Sequence, residues 1–191
     1  SPSRLESEKL EKKIIEKIIE PTLKGLKEIK NKFRGFLYAG LMIVDGEPFL
    51  IEYNVRMGDP ECQTILPRLK TDFLDIVVAT VNEDLKNINL EWFEDKSICV
   101  VLASKGYPDE FKNNSEIKGL KEIKLQDNEY IFHAGTKVNN SKIYSNGGRV
   151  LNFVIKSDNL KIGRDKAISL INKLNWQNGY FRKDIGYKII S

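Results

Sequence analysis

Two oxygen-bearing side chains, Glu52 and Asn54, lie two residues apart in the segment LIEYNVRMGDPE. In an extended strand, residues two apart point to the same face, so a carboxylate and an amide oxygen converge there. Hard divalent cations such as Mg²⁺ prefer oxygen ligands, and at nucleotide sites they take only one or two of them from protein. The spacing therefore predicts a metal-binding pair.

The residues that follow the pair add groups suited to an anionic ligand. Arg56 continues the same alternation and offers a forked set of donors to a phosphate or a carboxylate. Gly58 permits a positive φ or a close backbone approach. Asp59, Pro60 and Glu61 are typical of a helix start, because Asp favours the cap and Pro the first turn.

Taken alone, a Glu-x-Asn-x-Arg pattern favours a plainer interpretation, the solvent-facing side of an ordinary half-buried strand. The wider segment favours a site, because an apolar hairpin ends in this pattern and a glycine turn and an acid-capped helix follow at once. Polar groups are thereby concentrated where a strand meets a helix, and ligand sites collect at such places in mixed α/β proteins. We therefore interpret the segment as a binding site.

The elements that position this segment are helices and a hairpin. Apolar residues spaced three and four apart, from Leu10 to Leu26, predict an amphipathic helix, and Pro21 is expected to kink or restart it. Two apolar runs on either side of Asp45-Gly46 predict a β-hairpin with a two-residue turn. The predicted elements of this portion are a helix over 6–29, strands over 35–44 and 48–55, and a helix over 62–82.

A second portion of the chain is rich in short strands separated by Asn and Gly turns. We place the boundary near Leu90, between a helix-and-hairpin portion (1–90) and a mostly β portion (91–191). The chain is therefore expected to be an α+β protein of two small domains. The predicted elements here are strands over 97–104, 130–134, 142–144 and 148–155, a helix over 160–174, and a terminal strand over 180–190.

Composition excludes several classes of protein. Of the 191 residues, 41% are hydrophobic and 30% are charged, as in soluble globular domains. No run approaches the roughly 18 apolar residues of a membrane span, and the charged N-terminus is unlike a secretion signal, so a cytoplasmic protein is expected. The net charge of +4 is scattered among acidic residues, as on a solvated surface, and no nucleic-acid-binding motif is present. The excess of positive charge suits anionic small substrates equally well. Cys62 and Cys99 lack metal-finger spacing and are expected to be reduced thiols.

Three further features have both functional and structural interpretations. His133, the single histidine, lies in an alternating apolar segment, where a packed or hydrogen-bonded structural role is the more common one. Gly106-Tyr107-Pro108 ends a strand and is explained by turn chemistry more readily than by substrate contact. Asn146-Gly147-Gly148-Arg149 suits a phosphate-binding nest or a tight hairpin turn, and the turn is somewhat favoured.

Several of these segments together resemble a known family. GFLYAGLM, EYNVRMGDPECQ, GYP, FHAGTK, NGGRVL and FRKDIG are similar to the C-terminal part of the phosphoribosylamine-glycine ligases, also called glycinamide ribonucleotide synthetases. The resemblance runs from Ser1 to the end of the chain. It implies the second half of an ATP-grasp domain, with antiparallel strands and helices, over 1–90, and a small mostly β C-terminal domain over 91–191.

The resemblance also implies an activity. Members of this family ligate glycine to 5-phosphoribosylamine in de novo purine synthesis, giving glycinamide ribonucleotide, ADP and phosphate by way of a glycyl phosphate. Glu52 and Asn54 then correspond to the pair that holds Mg²⁺ or Mn²⁺ on ATP. Arg56 is expected to serve both catalysis and substrate binding. The other expected substrate-binding residues are Gly58, Asp59, Glu61, Arg182 and Lys183.

Arg182 and Lys183 are expected near the phosphate of phosphoribosylamine, by resemblance to related ATP-grasp enzymes. They are neighbours on the predicted terminal strand, so their side chains would point to opposite faces and one of them would reach the phosphate. A solvated basic strand end explains the two residues about as well.

The resemblance also implies that this sequence lacks the first half of the enzyme, including the elements that grip ATP. We therefore expect the chain to be inactive alone and its partners to be ATP, glycine, phosphoribosylamine and that first half. Two rival interpretations remain. The first is another ATP-grasp carboxylate-amine ligase or a carboxylase, and the second is a non-catalytic binding module that kept the fold.

Overall fold

The computed structural model describes residues 1–2 and 7–190 of the chain. Helices and antiparallel strands both occur, which confirms the α+β fold class. Among the helices of the described residues, none combines the length and the apolar character needed to cross a membrane.

The described chain forms two compact units. The first, called the hairpin unit, comprises Pro2–Glu61 and Leu69–Trp92. The second, called the sheet unit, comprises Ser1, Cys62–Arg68 and Phe93–Ser191. Each unit is described by itself below.

The hairpin unit begins with a helical segment in three parts. α1 (Glu8–Ile14) is followed by a π-helical turn (Ile15–Ile19), and α2 (Glu20–Glu28) starts one residue before Pro21. A proline lacks the backbone N–H of a regular helix, so an interruption here is expected, and the predicted restart is confirmed. The first residue of the predicted helix, Glu6, lies outside the described residues.

The predicted hairpin is confirmed. β1 (Tyr38–Val44) and β2 (Glu47–Asn54) pair antiparallel around the turn Asp45-Gly46. Both turn residues have a positive φ, 51° and 74°, as a two-residue type I′ turn requires. One face of the hairpin contacts the helical segment, where the hydroxyls of Tyr53 and Thr22 are 2.6 Å apart.

The single helix predicted over 62–82 is wrong, because the structure divides this stretch. Pro67 interrupts the α-helical hydrogen bonding, and Asp72 then caps a new helix by accepting a hydrogen bond from Leu74 N at 2.8 Å. The elements here are α3 (Glu61–Ile65), a 3₁₀ turn (Leu66–Arg68), α4 (Phe73–Val81) and a second 3₁₀ turn (Leu85–Asn87).

The sheet unit contains a four-stranded antiparallel sheet in the order β4-β7-β3-β8 and a separate ribbon of β5 and β6. Four strands were predicted close to their observed bounds, and the strand at 136–139 was not predicted. The strands are β3 (Lys96–Ser104), β4 (Glu129–His133), β5 (Thr136–Asn139), β6 (Lys142–Ser145), β7 (Arg149–Ser157) and β8 (Gly179–Tyr180).

The core of the sheet unit lies between the sheet and one helix. α5 (Leu160–Ile171) packs against β3 and β7, and its start is fixed by Asn159, which accepts hydrogen bonds from Lys161 N and Ile162 N. The predicted helix at this position is thereby confirmed. The buried residues that form the core include Ile98, Val100, Leu102, Val150, Leu151, Phe153, Ile155, Ala167, Leu170 and Trp176.

The terminal strand predicted over 180–190 is wrong. After β8 the chain turns, and α6 (Tyr187–Ile190) ends the described residues. Gly186 has a φ of 76°, which lets the chain change direction where a strand would have continued. Ile185, Ile189 and Ile190 pack against the core, so their apolar spacing reflects this packing and not a pleat.

Candidate functional site

A β-bulge interrupts the hairpin just before Glu52. Leu41 of β1 pairs with Leu50, but the preceding residue of β1, Gly40, pairs with Glu52. Ile51 is therefore an extra residue on β2. Bulges of this kind bend a strand and re-aim its side chains, and they are frequent beside ligand sites.

The bulge sets the face of the hairpin on which the predicted metal pair lies. Regular pairing from the two-residue turn would place Ala39 opposite Glu52. Ala39 instead pairs with Tyr53, whose hydroxyl hydrogen-bonds to the helical segment. Glu52 and Asn54 therefore point to the opposite face, which they share with their pairing partners in β1. We call this the open face.

The side chains of Glu52 and Asn54 are in direct contact. Asn54 Nδ2 donates a hydrogen bond to Glu52 Oε1 at 3.1 Å, so the two side chains lie on one face. Gly40 leaves room for the Glu52 side chain, because a Cβ at position 40 would lie 2.9 Å from Glu52 Cγ. The carboxylate and amide oxygens form the all-oxygen donor set that suits Mg²⁺ or Mn²⁺.

No larger set of ligands competes with this pair in the part of the chain that the structure describes. Within residues 1–2 and 7–190, no group of three or more His, Cys, Asp or Glu side chains is placed to hold a metal ion. Cys62 and Cys99 are thiols, as predicted, and not a disulfide. A cation held by Glu52 and Asn54 would take its remaining ligands from phosphate and water.

Arg56 lies beyond the strand. β2 ends at Asn54, and Arg56 is in a bend, so the expectation that it continues the same pleated face is wrong. Its Nη1 donates to Met57 O at 3.0 Å, and the side chain is exposed. The bend, and not strand alternation, sets the direction of this cationic group.

The segment Gly58-Asp59-Pro60 forms the turn that leads to α3, which starts at Glu61. A positive φ and a close backbone approach were the two uses predicted for Gly58. Its φ is not in the positive range, so the close approach is the one found. A Cβ on Gly58 would lie 2.1 Å from Glu61 Oε2. The approaching group is thus the Glu61 side chain, so these two residues are brought together.

Tyr38 belongs to the open face, although the sequence patterns did not single it out. It pairs with Asn54 in the strand register and is half-buried. Burial raises the pKa of its hydroxyl, and the charge of Glu61, a hydrogen bond with Glu61 and the charge of Glu52 raise it further. The phenol therefore stays a protonated donor beside two carboxylates at neutral pH. The strand register identifies Tyr38 as part of this face, but only when the extra residue at the bulge is included.

Arg182 and Lys183 belong to the sheet unit. Both are exposed and follow β8 in non-strand backbone, so the inference that they point to opposite faces of a strand does not apply. Arg182 donates to Asp184 from Nη2 at 2.7 Å and from Nε at 3.1 Å. The hydrogen bond to Asp184 raises the pKa of Arg182, and the same bond lowers the pKa of Asp184.

His133 is exposed at the end of β4. Its Nδ1 lies 2.7 Å from Thr136 Oγ1, within hydrogen-bond distance. A hydrogen-bonded structural role, which the sequence favoured, is supported by this local contact.

The GYP and NGGR segments pack against each other. A Cβ on Gly148 would lie 2.1 Å from the Tyr107 ring, Arg149 Nε donates to Tyr107 Oη at 3.1 Å, and Ser104 Oγ donates to Gly147 O at 2.8 Å. The favoured prediction of a tight hairpin turn is wrong, because β6 and β7 belong to different sheets. Close packing, and not a positive φ, explains the second glycine.

Two family models match the chain. The model described as phosphoribosylglycinamide synthetase, ATP-grasp (A) domain, matches residues 1–62, and the model described as phosphoribosylglycinamide synthetase, C domain, matches residues 97–188. Together they cover most of the sequence. The chain belongs to the phosphoribosylglycinamide synthetase family. The resemblance that the sequence motifs indicated is thereby confirmed.

Relatives match nearly the whole of this chain. A phosphoribosylamine-glycine ligase of Fusobacterium nucleatum is 43% identical over 188 residues, which are 97% of this chain and 44% of the relative. One from Caldanaerobacter subterraneus is 46% identical over 172 residues, 90% of this chain and 40% of the relative. The chain thus spans less than half the length of these relatives.

A solved structure has the same fold. The crystal structure of phosphoribosylamine-glycine ligase from Thermotoga maritima superposes with a TM-score of 0.82 at 34% sequence identity. The similarity covers 96% of this chain and 44% of the Thermotoga maritima chain. The agreement extends the family assignment from sequence to three-dimensional structure.

Proposed function

We propose that this chain acts within a longer ligase that joins glycine to 5-phosphoribosylamine, with cleavage of ATP to ADP and phosphate by way of a glycyl phosphate. The product, glycinamide ribonucleotide, is an intermediate of de novo purine synthesis. The observation that carries the proposal is the Glu52 and Asn54 pair, hydrogen-bonded on the open face within the segment matched by the ATP-grasp model. The names of its relatives support the choice of substrates.

The proposal includes a division of the chain near Leu90. Residues 1–90 would be the second half of an ATP-grasp domain, and residues 91–191 a small β-rich C-terminal domain. The positions of the two family models support this arrangement. The chain alone is expected to be inactive, because the elements that grip ATP belong to the first half of an ATP-grasp domain.

Glu52 and Asn54 would hold Mg²⁺ or Mn²⁺ beside the phosphates of ATP. Two protein ligands are enough, because such ions keep water and phosphate oxygens as their other ligands. A bound ion would neutralise negative charge on the transferred phosphoryl group. The chain's contribution is to keep the two side chains together on one face, through the hydrogen bond from Asn54 to Glu52 and the room that Gly40 leaves for Glu52.

Arg56, Gly58, Asp59 and Glu61 would shape the substrate pocket. The amine of phosphoribosylamine attacks a carboxyl group that phosphorylation has already activated, so positioning and charge neutralisation matter more than a protein acid or base. Arg56, exposed just beyond β2, is suited to offset the negative charge of the acyl phosphate.

Of the two cations near the end of the chain, we propose Lys183 as the contact for the phosphate of phosphoribosylamine. The guanidinium of Arg182 donates two hydrogen bonds to Asp184, which would have to be exchanged before it could bind a phosphate. Lys183 is exposed and presents an ammonium group, which binds phosphate as a point charge.

The test of the metal pair uses the full-length ligase that contains this chain. ADP formation is measured with ATP, Mg²⁺, glycine and phosphoribosylamine for the parent enzyme and for Glu52→Ala. We expect at least about a hundredfold loss of turnover, because removing a metal ligand removes charge neutralisation at the phosphoryl group. Glu122→Ala, an exposed glutamate of the sheet unit, is the matched control and should leave turnover unchanged. Near-normal turnover in Glu52→Ala would refute the metal assignment.

The rival ligases are separated by substrate choice. Glycine and phosphoribosylamine are compared with other carboxylic acids, other amines and bicarbonate in the same ADP assay. Preferred turnover of another pair would replace the proposed reaction with that one. The non-catalytic rival is tested by titrating the isolated chain with Mg²⁺ and ATP in a calorimeter, where we expect weak binding or none. Micromolar binding by the isolated chain would contradict our account of which elements grip ATP.

A further inference from the structure

One edge of β3 is only partly covered. β3 lies between β7 and β8 in the sheet, but β8 pairs with it only at Ala103 and Ser104. Among the described residues, 1–2 and 7–190, no other strand pairs with this edge of β3. Residues 98–102 of β3 therefore have no neighbouring strand on the side of β8.

Ser1 occupies the far end of the same edge. Its backbone nitrogen donates to Ser97 O at 2.6 Å, and its carbonyl oxygen accepts from Ser97 N at 2.8 Å. Arg68 holds Ser1 in this place, because its Nη1 donates to Ser1 Oγ at 2.9 Å and its Nε donates to Asp95 O at 2.7 Å. Ser1 is thus paired with β3 as one residue of an added strand would be.

The hydrogen bonds of Ser1 set the direction of such a strand. Two residues that exchange both of their backbone hydrogen bonds form an antiparallel pair. Alternate residues of a strand direct their backbone groups to the same side, so Ser97, Val101 and Lys105 all face this edge. Lys105 N accordingly donates to Asn178 O, beside β8, at 2.7 Å. Residues that precede Ser1 in a longer chain would therefore run along residues 98–102 toward β8.

Val101 lies in the middle of the uncovered stretch. It is half-buried, and in the part of the chain that the structure describes its backbone makes no hydrogen bond on this side. A backbone N–H and C=O that are withdrawn from water without a partner cost free energy. An added strand would pair both groups, as in other cases where an extended segment extends a sheet.

We propose that the segment directly before Ser1 in the full-length ligase adds a short strand to this edge of β3, antiparallel to it and ending where β8 begins. The inference rests on the proposed function, which makes this chain part of a longer ligase. It names the surface that joins the preceding part of that ligase to the sheet unit. A strand from another molecule is the rival occupant, but it would have to end beside Ser1 or displace it. The preceding segment is already held in register by the Ser1 pair.

The first experiment tests the register in the full-length ligase. A cysteine is introduced at the second position before Ser1, which antiparallel pairing places opposite the Cys99 thiol with the Cα atoms about 5.5 Å apart. This separation suits a disulfide. After mild oxidation, we expect mass spectrometry to find the disulfide in most molecules. A cysteine at the first position before Ser1 is the matched control, and it should give at least about tenfold less disulfide because its side chain points to the other face.

Hydrogen exchange tests the same edge without an added cysteine. In the full-length ligase, the amide of Val101 should exchange within about tenfold of the rate of Val100, which pairs with Phe153 of β7. A bare edge would let Val101 exchange at least about a hundredfold faster than Val100. Arg68→Met removes the group that holds Ser1, so it should speed exchange at Val101 and leave Val100 unchanged. Protection of Val101 that falls on dilution would assign the edge to a second copy and overturn the proposal.

The outcomes separate this inference from the proposed function. A ligase that turns over glycine and phosphoribosylamine but lacks either the Cys99 disulfide or the protection of Val101 overturns the added strand and leaves the proposed function standing. Equal disulfide yields from the two cysteine positions also overturn the strand, because a segment without a fixed register would reach Cys99 from either. The disulfide and the protection together, in an enzyme that does not turn over these substrates, would support the strand and refute the proposed reaction.

Discussion

The sheet unit and the hairpin unit bury their residues very differently. In the sheet unit, residues 150–156 of β7 are buried without interruption, as in a strand covered on both faces. Among the described residues of the hairpin unit, Ile18, Pro48 and Ala79 are the buried ones. The metal pair and the turn that follows it, proposed to do the chemistry, thus lie in the unit with the smaller buried core.

This difference indicates whether a substitution affects folding or ligand binding. Apolar burial stabilises a fold in proportion to the area removed from water, so changes in the sheet unit act first on folding. Exposed polar side chains contribute little to stability, so changes on the open face act first on ligand binding. Four variants test this division, and they are described from the largest expected effect to the smallest.

The largest effect is expected from a cavity in the sheet unit. Phe153 is 0% exposed and pairs with Val100 and Ile131 on the neighbouring strands. Phe153→Ala should lower the free energy of unfolding by about 3–5 kcal/mol, measured by urea denaturation. Phe49→Ala, at a side chain of the hairpin unit that is 56% exposed, is the control and should cost less than about 1 kcal/mol. Equal losses of unfolding free energy in Phe153→Ala and Phe49→Ala would contradict the proposed difference between the units.

Overpacking in the sheet unit should have a smaller effect. Gly148→Ala places a Cβ 2.1 Å from the Tyr107 ring, and the resulting shift should cost about 1–3 kcal/mol of unfolding free energy. In a Tyr107→Ala background the ring is absent, so the same glycine substitution should cost much less. If thermal unfolding shows the same cost in both backgrounds, the contact with Tyr107 is not its cause.

Lys183 should be an exception to the division, because it is an exposed residue of the sheet unit with a proposed binding role. Lys183→Ala in the full-length ligase should raise KM for phosphoribosylamine about tenfold, the size of one charge-assisted contact, without a change in unfolding temperature. Arg182→Ala should raise this KM less, because Asp184 already engages the Arg182 guanidinium. The reverse order of the two variants would assign the phosphate to Arg182.

The smallest effect is expected at Glu47 of the hairpin unit. Hydrogen bonds from Lys13 and Lys17 lower the pKa of Glu47 from 4.5 to about 2. A carboxyl group whose pKa is lower in the folded state stabilises the fold above pH 4.5 and loses that contribution as the pH falls toward 2. The step is small because the ion pair is exposed. Unfolding temperature measured against pH should show this step in the parent chain and lose it in Glu47→Gln.

Much of the fold could be predicted because it is determined locally. The hairpin follows from two apolar runs and an Asp-Gly turn, and both turn residues adopt the positive φ that this turn needs. β3 follows from a continuous apolar run, and α5 from its apolar spacing and the Asn159 cap. The shared face of Glu52 and Asn54 could be predicted for the same reason, since a spacing of two places side chains on one face of any strand.

The elements that could not be predicted depend on contacts between distant residues. The apolar spacing of 180–190 suits a strand, but Ile190 packs against Gly186, which also approaches Ile98 of β3. Periodicity continues across Pro67, so it did not mark the break in the predicted helix. The bulge at Ile51 has no sequence signature, and without it the place of Tyr38 opposite Asn54 could not be inferred.

The extra residue at Ile51 has a consequence for alignments of this family. If Ile51 were deleted, Leu50 would still pair with Leu41 and Glu52 with Gly40, so Glu52 and Asn54 would keep their face. A one-residue gap at any other position between the turn and Glu52 has the same result, because regular pairing from the turn then places Glu52 opposite Gly40. A gap of two residues would place Glu52 opposite Leu41 and turn the pair to the other face. The length of a gap, and not its position, therefore decides whether a related sequence presents the two oxygens on this face.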